Sequence, residues 1–203
     1  EGNHSRLRPG DIKYRDLNGD GVIDDYDKMP VGFCDIPEIT YGFGGAIEWK
    51  GFDVSIFFQG TARVSIFEEG SAVVPFSSGY KNNNGFLKGV MEDRWTVDNP
   101  NPNARYPRTI RPSDALDNNN TKKSSFWVRN AAYLRLKNAE IGYTFPKRWM
   151  EKMAIQNLRL YVSGVNLLTW APDVRLFDPE LGSGDGRKYP PTRVFNVGLN
   201  INF

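Results

Sequence analysis

Six positions near the start of the chain have the spacing of a calcium-binding loop. Counted from Asp16 as position 1, side-chain oxygens fall at loop positions 1, 3, 5, 9 and 12, and a backbone carbonyl is available at position 7. The six residues are Asp16, Asn18, Asp20, Val22, Asp24 and Asp27. Gly21 occupies position 6, where the chain must turn too sharply for a side chain. Because Ca²⁺ is a hard cation that prefers oxygen ligands, this stretch predicts one structural calcium ion.

Two features of this loop leave other interpretations open. Position 12 is Asp27 and not the longer glutamate, which weakens the case for bidentate closure of the site. The flanking residues show no helical apolar spacing, so an EF-hand with two flanking helices is not expected. The same residues also fit an Asp/Asn/Gly turn that holds no ion.

The remaining reactive residues do not predict an enzyme. The chain has one histidine, His4, and one cysteine, Cys34, so a nucleophile–base pair has little material. We interpret Cys34 as a buried, inert thiol and the acidic pair Glu68-Glu69 as solvated charges. The formal net charge of +2 gives no strongly basic surface, so nucleic acid is not expected as a partner.

The last stretch of the chain, TRVFNVGLNINF at 192–203, alternates with the period of an extended strand. One parity is apolar and consists of Phe195, Val197, Leu199, Ile201 and Phe203. The other parity consists of Asn196, Gly198, Asn200 and Asn202. A strand of this kind is wet on one side only, and its terminal aromatic residue is typical of an outer-membrane barrel, in which the apolar face meets lipid and the polar face meets the lumen.

Similar alternation predicts four further strands, at 39–49, 52–61, 133–145 and 157–170. Lys50-Gly51 forms a tight reversal between the first two. The phase of the alternation slips near Lys137-Asn138 and again at Val165-Asn166, which predicts β-bulges at these two places. Tyr41, Trp49 and Phe52 fit either an aromatic girdle at a membrane interface or the core of a soluble sheet.

The connections between these strands alternate between short and long. Those at 50–51 and 146–156 are short, whereas those at 68–125 and 171–191 are long and polar. Short helices are expected within 86–95 and 149–154. This alternation is typical of an up-and-down transmembrane barrel with short periplasmic turns and long extracellular loops. The mean hydropathy of −0.52 does not argue against a membrane, because alternating strands average to a polar sequence.

The sequence therefore predicts an all-β fold, namely the carboxyl-terminal portion of an antiparallel up-and-down transmembrane β-barrel. Residues 1–38 are expected to form an extracellular loop with the calcium-type motif, and residues 39–203 the barrel strands and their loops. Five strands cannot close a barrel, so we expect the other strands upstream of Glu1.

Six blocks of sequence carry a family resemblance over nearly the whole chain. They are PGDIKYRDLNGDGVID, ITYGFGGAIEWKGFDVSIFFQG, DRWTVDNPNPNARYPR, YLRLKNAEIGYTFP, LRLYVSGVNLLTW and FNVGLNINF. In this order they resemble the end of a SusC/RagA-type TonB-dependent outer-membrane transporter of Bacteroidetes. The resemblance implies a barrel of about 22 strands with a plugged lumen, located in the cell outer membrane and surrounded by its lipid.

The resemblance also implies a function and partners. These are energised import of nutrients, oligosaccharides or peptides, together with a SusD-like surface lipoprotein. Contact with TonB would be made through an amino-terminal region that is absent here, as is the plug domain. The alternative that the residues leave open is a soluble, calcium-stabilised β-sandwich that binds carbohydrate.

Overall fold

The computed structural model describes residues 7–70, 73, 87–109, 119–150, 155–184 and 186–203. Antiparallel strands dominate these ranges. They are β1 (Ile39–Trp49), β2 (Phe52–Ala62), β3 (Ser65–Phe67), β4 (Val128–Asn130), β5 (Tyr133–Thr144), β6 (Asn157–Trp170) and β7 (Val194–Asn202). The helices are α1 (Lys88–Glu92) and α2 (Lys147–Met150), with 3₁₀ turns at Asp25–Asp27, Asn119–Thr121, Ser125–Trp127 and Pro179–Leu181. None of the helices in the described ranges has the length and apolar character needed to span a membrane.

The five long strands form one antiparallel sheet in the order β1-β2-β5-β6-β7. Each long strand pairs with the next long strand along the chain, which confirms the predicted up-and-down arrangement. The remaining two strands, β3 and β4, pair with each other inside the connection between β2 and β5. The sequence did not predict them, because strands of three residues are too short to show a period.

The reversal between β1 and β2 is a two-residue turn, as predicted. Lys50 and Gly51 both have positive φ, of 49° and 89°, which is the conformation that a type I′ hairpin turn requires. A side chain at Gly51 would place its Cβ 2.7 Å from the backbone oxygen of Thr144 on the neighbouring strand. Glycine therefore lets this turn lie close against the end of β5.

The register of β5 and β6 shifts where the sequence phase slips. Leu136 pairs with Leu168, but the next paired residues are Asn138 and Val165. Asn166, within the shift, has φ of 55°. The shift confirms the predicted irregularities and exchanges the two faces of β5 at this level. As a result, Arg135 and Glu140 lie on the same side of the sheet although their sequence parities differ.

Two local predictions are wrong. Cys34 is exposed, because it lies in the extended segment before β1 and its thiol points to the neighbouring Asp35 carboxylate, at 3.5 Å. The backbone oxygen of Cys34 accepts a hydrogen bond from Ser65 at 3.1 Å. The second helix begins at Lys147, earlier than expected, and 151–154 lie outside the described residues. The first helix lies within the predicted 86–95 but is only five residues long.

Candidate functional site

One face of the five-stranded sheet is an exposed apolar surface. The paired residues Val54, Ile141, Val162 and Val197 cross four neighbouring strands in one row on this face. Val197 is 75% exposed and Ile47, on β1, is 69% exposed. Apolar surface of this extent on a folded protein marks contact with lipid or with another protein. Among the described residues no second sheet covers it, which favours a membrane wall over the interior of a sandwich.

Aromatic pairs lie toward both ends of this apolar face. Phe52 and Tyr143, beside the β1–β2 turn, have ring centroids 4.6 Å apart. Toward the opposite end, Phe58 lies 5.2 Å from Phe43 and 6.4 Å from Trp170 between centroids. Because these rings lie on the uncovered face, their position fits an aromatic girdle at each membrane interface better than packing in a soluble core.

The opposite face of the sheet is polar and charged. Arg159 on β6 donates to Asp53 on β2, with Nε 3.0 Å from Oδ1, and to Glu140 on β5, with Nη2 2.6 Å from Oε1. Tyr161 lies flat over Gly198 of β7, where a Cβ would come within 2.2 Å of its ring. A cleft of about 630 Å³ opens at the turn end of this face, beside Asp53 and Arg159. Charges at this density belong beside water, so this face can line an aqueous lumen.

Above the sheet, the long connections pack into one body, which we call the loop assembly (described residues within 7–15, 63–73, 87–109, 119–132 and 171–184). It holds the two hydrophobic core clusters of the described residues. One contains Ile12, Val73, Val90, Tyr106 and Trp127, and the other Val64, Ile66, Ala131 and Val174. Asn120 connects residues 7–15 to the other parts of the loop assembly, since its Oδ1 accepts a hydrogen bond from the Ile12 amide at 2.9 Å.

A buried carboxylate, Glu68, lies at the centre of the loop assembly. It has no exposed side-chain surface, which contradicts its prediction as a solvated charge. Arg129 donates to Glu68 Oε2 at 2.8 Å and Arg105 donates to Oε1 at 3.2 Å. Arg105 also reaches Asp173, at 3.1 Å from Oδ1. Buried charges need partners of opposite sign. Because the partners of Glu68 come from distant parts of the sequence, this ion cluster holds four separate stretches of the chain together.

The hydroxyl of Tyr106 completes the environment of this carboxylate. It donates to Glu68 Oε2 at 3.3 Å. Burial raises the pKa of Tyr106, and the negative charge of Glu68 acts in the same direction. The hydroxyl therefore keeps its proton at neutral pH and remains a donor to Glu68.

A second ion cluster attaches the connection between β6 and β7 to the sheet. Arg135 on β5 is almost fully buried and binds Asp178 and Glu180 of that connection, at 2.6 Å and 2.8 Å. Tyr133 also donates to Glu180. Neither ion cluster was predicted, since their members are far apart in sequence. The one available signal was the phase slip at Lys137, which moves Arg135 to the polar face.

The predicted calcium loop is a tight turn closed by its own hydrogen bonds. Asp16 accepts from the amides of Gly19 at 2.6 Å and Gly21 at 2.8 Å. Further along, the side chain of Asn18 accepts from the Asp20 amide at 3.0 Å. The amide of Val22 donates to Asp20 Oδ1 at 2.8 Å.

Asp27 joins the end of this loop to its start. Its carboxylate accepts from the amides of Leu17 at 2.7 Å and Asp24 at 2.9 Å. These backbone hydrogen bonds, that from Asp24 most strongly, lower the pKa of Asp27. Asp24 caps the following 3₁₀ turn through the amide of Tyr26 at 2.8 Å. In the described ranges no three Asp, Glu, His or Cys side chains are grouped to hold a metal ion, so calcium binding stays a prediction.

We expect calcium to raise the melting temperature of the intact protein, because an ion that binds the folded loop and not the unfolded chain stabilises the folded state. At a calcium concentration 100 times Kd the gain would be about 2.7 kcal/mol. The combined change Asp16→Ala and Asp20→Ala should abolish it. Asp25→Ala is the control, since Asp25 is outside the predicted ligand set and pairs with Lys28 at 2.7 Å. Equal melting temperatures with calcium and with chelator in the unmutated protein would refute the prediction.

The chain is similar in sequence to TonB-dependent receptors. No protein-family model matches the chain. It is 32% identical, over 96% of its length, to TonB-dependent receptor P26 of Formosa agariphila. It is 24% identical, over 97% of its length, to TonB-dependent receptor SusC of Bacteroides thetaiotaomicron. The chain spans 20% and 18% of these two proteins, so it corresponds to about a fifth of each.

Solved structures show the same fold. The RagAB peptide importer in its closed-closed state matches 93% of this chain with a TM-score of 0.67 and 21% identity, over 20% of the importer chain. The RagAB peptide transporter matches 84% of this chain with a TM-score of 0.61 and 23% identity, over 18% of that chain. These matches confirm the predicted fold, a partial segment of an up-and-down barrel.

Proposed function

Because the chain is a barrel segment of a SusC/RagA-type TonB-dependent receptor, we propose that it forms wall and mouth of an outer-membrane importer of nutrients. The observation that carries this proposal is the two-faced sheet. Its single layer is apolar and uncovered on one side, and charged on the other around Asp53, Glu140 and Arg159. A wall between lipid and an aqueous lumen needs both faces.

The orientation follows from the lengths of the connections. The two-residue turn at Lys50-Gly51 and the connection at 146–156 would lie in the periplasm, and the loop assembly and the calcium-type loop would face the outside. Short turns inside and long loops outside are the general arrangement in outer-membrane barrels. The loop assembly is therefore the first part of this segment that an incoming nutrient would meet.

We propose oligosaccharides as the nutrient, with peptides as the competing class. The polar face offers serine, asparagine, carboxylate and guanidinium groups, which can hydrogen-bond to sugar hydroxyls as well as to peptide groups. The likeness to SusC supports the first class, and the likeness to the RagAB peptide transporter supports the second. A SusD-like surface lipoprotein would be the outer partner and TonB the energy-coupling partner, and no enzymatic activity is proposed.

Uptake by the native organism tests this function. We expect deletion of the gene for the whole receptor to abolish uptake of fluorescent oligosaccharides, and a plasmid copy to restore it. A protonophore should block the same uptake, because import through TonB needs the proton-motive force. Labelled di- and tripeptides form the parallel arm that distinguishes the two nutrient classes. Uptake of both classes at wild-type rates in the deletion strain would contradict the proposal.

A further inference from the structure

The connection between β6 and β7 is held down at its midpoint by one arginine of the sheet. Nη2 of Arg135 lies 2.6 Å from both carboxylate oxygens of Asp178, and Nη1 lies 2.8 Å from Glu180 Oε2. Its Nε donates to Thr169 Oγ1 at 3.0 Å, and Tyr133 donates to the other oxygen of Glu180. The Arg135 side chain is only 1% exposed, so a single cation holds two carboxylates against the wall.

These contacts lie on the polar face of the sheet. Arg135 pairs with Gln59 of β2, and Glu140, below the bulge, pairs with Ser55 of the same strand. Gln59 and Ser55 have the same parity on β2, so Arg135 and Glu140 face the same way. The side chains that reach Arg135 therefore approach from the lumen side of the wall and not from the lipid side.

The burial of residues on the polar face shows which part of that face is covered. Thr61, Tyr133 and Arg135, toward the loop end, are buried. Phe57, farther along the same face of β2, is 40% exposed. The polar face is therefore covered only at the end of the sheet next to the loop assembly. Farther from the loop assembly this face is open.

The connection is also tied to the rest of the loop assembly on both sides of this contact. Before it, Asp173 accepts from Arg105 at 3.1 Å and from the Asn130 amide at 2.7 Å. After it, the Gly184 amide donates to Phe67 at 3.0 Å. Arg135 is the charge that draws the middle of the connection inward, because without it Asp178 and Glu180 would repel each other next to a buried surface.

We propose that Arg135 is a positioning residue that holds the β6–β7 connection inside the mouth of the lumen, where the connection limits the size of the substrate that enters. This inference rests on the proposed function, since the polar face must line a lumen. It assigns the Arg135 cluster a role in selectivity and not in binding the substrate. Loss of the arginine should let the connection swing out and admit longer chains.

The test uses the full-length receptor in cells, with Cys34→Ser and Pro179→Cys. Pro179 is buried and lies between Asp178 and Glu180 in sequence, so an impermeant maleimide should label the cysteine slowly. We expect Arg135→Gln to speed labelling about tenfold or more, and Arg135→Lys to recover part of the protection. The matched control is Arg175→Gln, because Arg175 lies in the same connection, is exposed, and its Nε donates to the backbone oxygen of Pro172 at 3.4 Å and not to a carboxylate.

The second readout is size selectivity. The KM for a long oligosaccharide should fall in Arg135→Gln, with the KM for a short one unchanged. Unchanged labelling would overturn the anchoring role, and faster labelling with unchanged selectivity would overturn the role at the entrance. If Arg135→Gln does not assemble, the double change Asp178→Asn and Glu180→Gln must give the same two effects. Labelling is independent of uptake, so a receptor that imports neither oligosaccharides nor peptides refutes the proposed function and leaves the anchoring testable.

Discussion

Leu199→Arg should remove most of the assembled receptor from the outer membrane, whereas Asn196→Arg should leave it in place. Leu199 is in the middle of β7, pairs with Leu160, and is 55% exposed on the apolar face. An arginine on the lipid face near the midplane costs about 2–4 kcal/mol. Asn196 lies on the polar face opposite Ser163, where an added charge meets water.

The comparison is read as the amount of folded receptor in isolated outer membranes, from its heat-modifiable migration in gels. Asn196 is a better control than Asn200, because Asn200 pairs with Arg159 and a second arginine there would repel it. Equal loss of assembly in the two variants would show that the faces of β7 do not differ in environment.

Glu68→Gln should destabilise the loop assembly strongly, although Glu68 lies outside the five-stranded sheet. The change removes the charge that Arg129 contacts at 2.8 Å and Arg105 at 3.2 Å. Arg105 keeps Asp173, but Arg129 is left with backbone carbonyls such as that of Phe126 at 2.7 Å. Leaving a buried charge without its ion partner costs about 3–5 kcal/mol.

The neighbouring residue supplies a matched control. Glu69 is 40% exposed and pairs with Lys123, itself 67% exposed, at 3.1 Å, so Glu69→Gln should cost less than about 1 kcal/mol. Limited proteolysis of the purified receptor measures the difference, because cleavage follows the local opening of loops. We expect cleavage to be at least about a hundredfold faster in Glu68→Gln. Similar rates in both variants would mean that the Glu68 cluster does not hold the loops together.

The five long strands were predictable because each has one polar and one apolar face. The period of two gave the bounds of β1 and β6 as the structure has them, and the Lys50-Gly51 turn followed from local chemistry. Periodicity alone does not say what the apolar face meets, so the expectation of lipid came from the alternation of short and long connections and from the resemblance to a family. The calcium-type loop adopts a turn that both open interpretations allow, so its ion remains a prediction.

The ion clusters were not predictable, because a sequence does not show which charges meet. Glu68 contacts Arg105 and Arg129 across 37 and 61 residues, a separation at which no local pattern shows that these charges meet. Arg135 could have been placed on the polar face, since the predicted slip two residues later exchanges the faces. Its partners Asp178 and Glu180 belong to a connection without periodicity, whose path only the structure gives.

The most direct test of the two-faced wall measures lipid contact along β7. Single cysteines at 195–202 in the full-length Cys34→Ser receptor would carry a small fluorophore, and the receptor would be reconstituted with brominated lipid. Bromine quenches by contact, so fluorescence should fall at Phe195, Val197, Leu199 and Ile201 and persist at Asn196, Asn200 and Asn202. Equal quenching on both parities, or none on either, would contradict the assignment of this sheet as a wall between lipid and lumen.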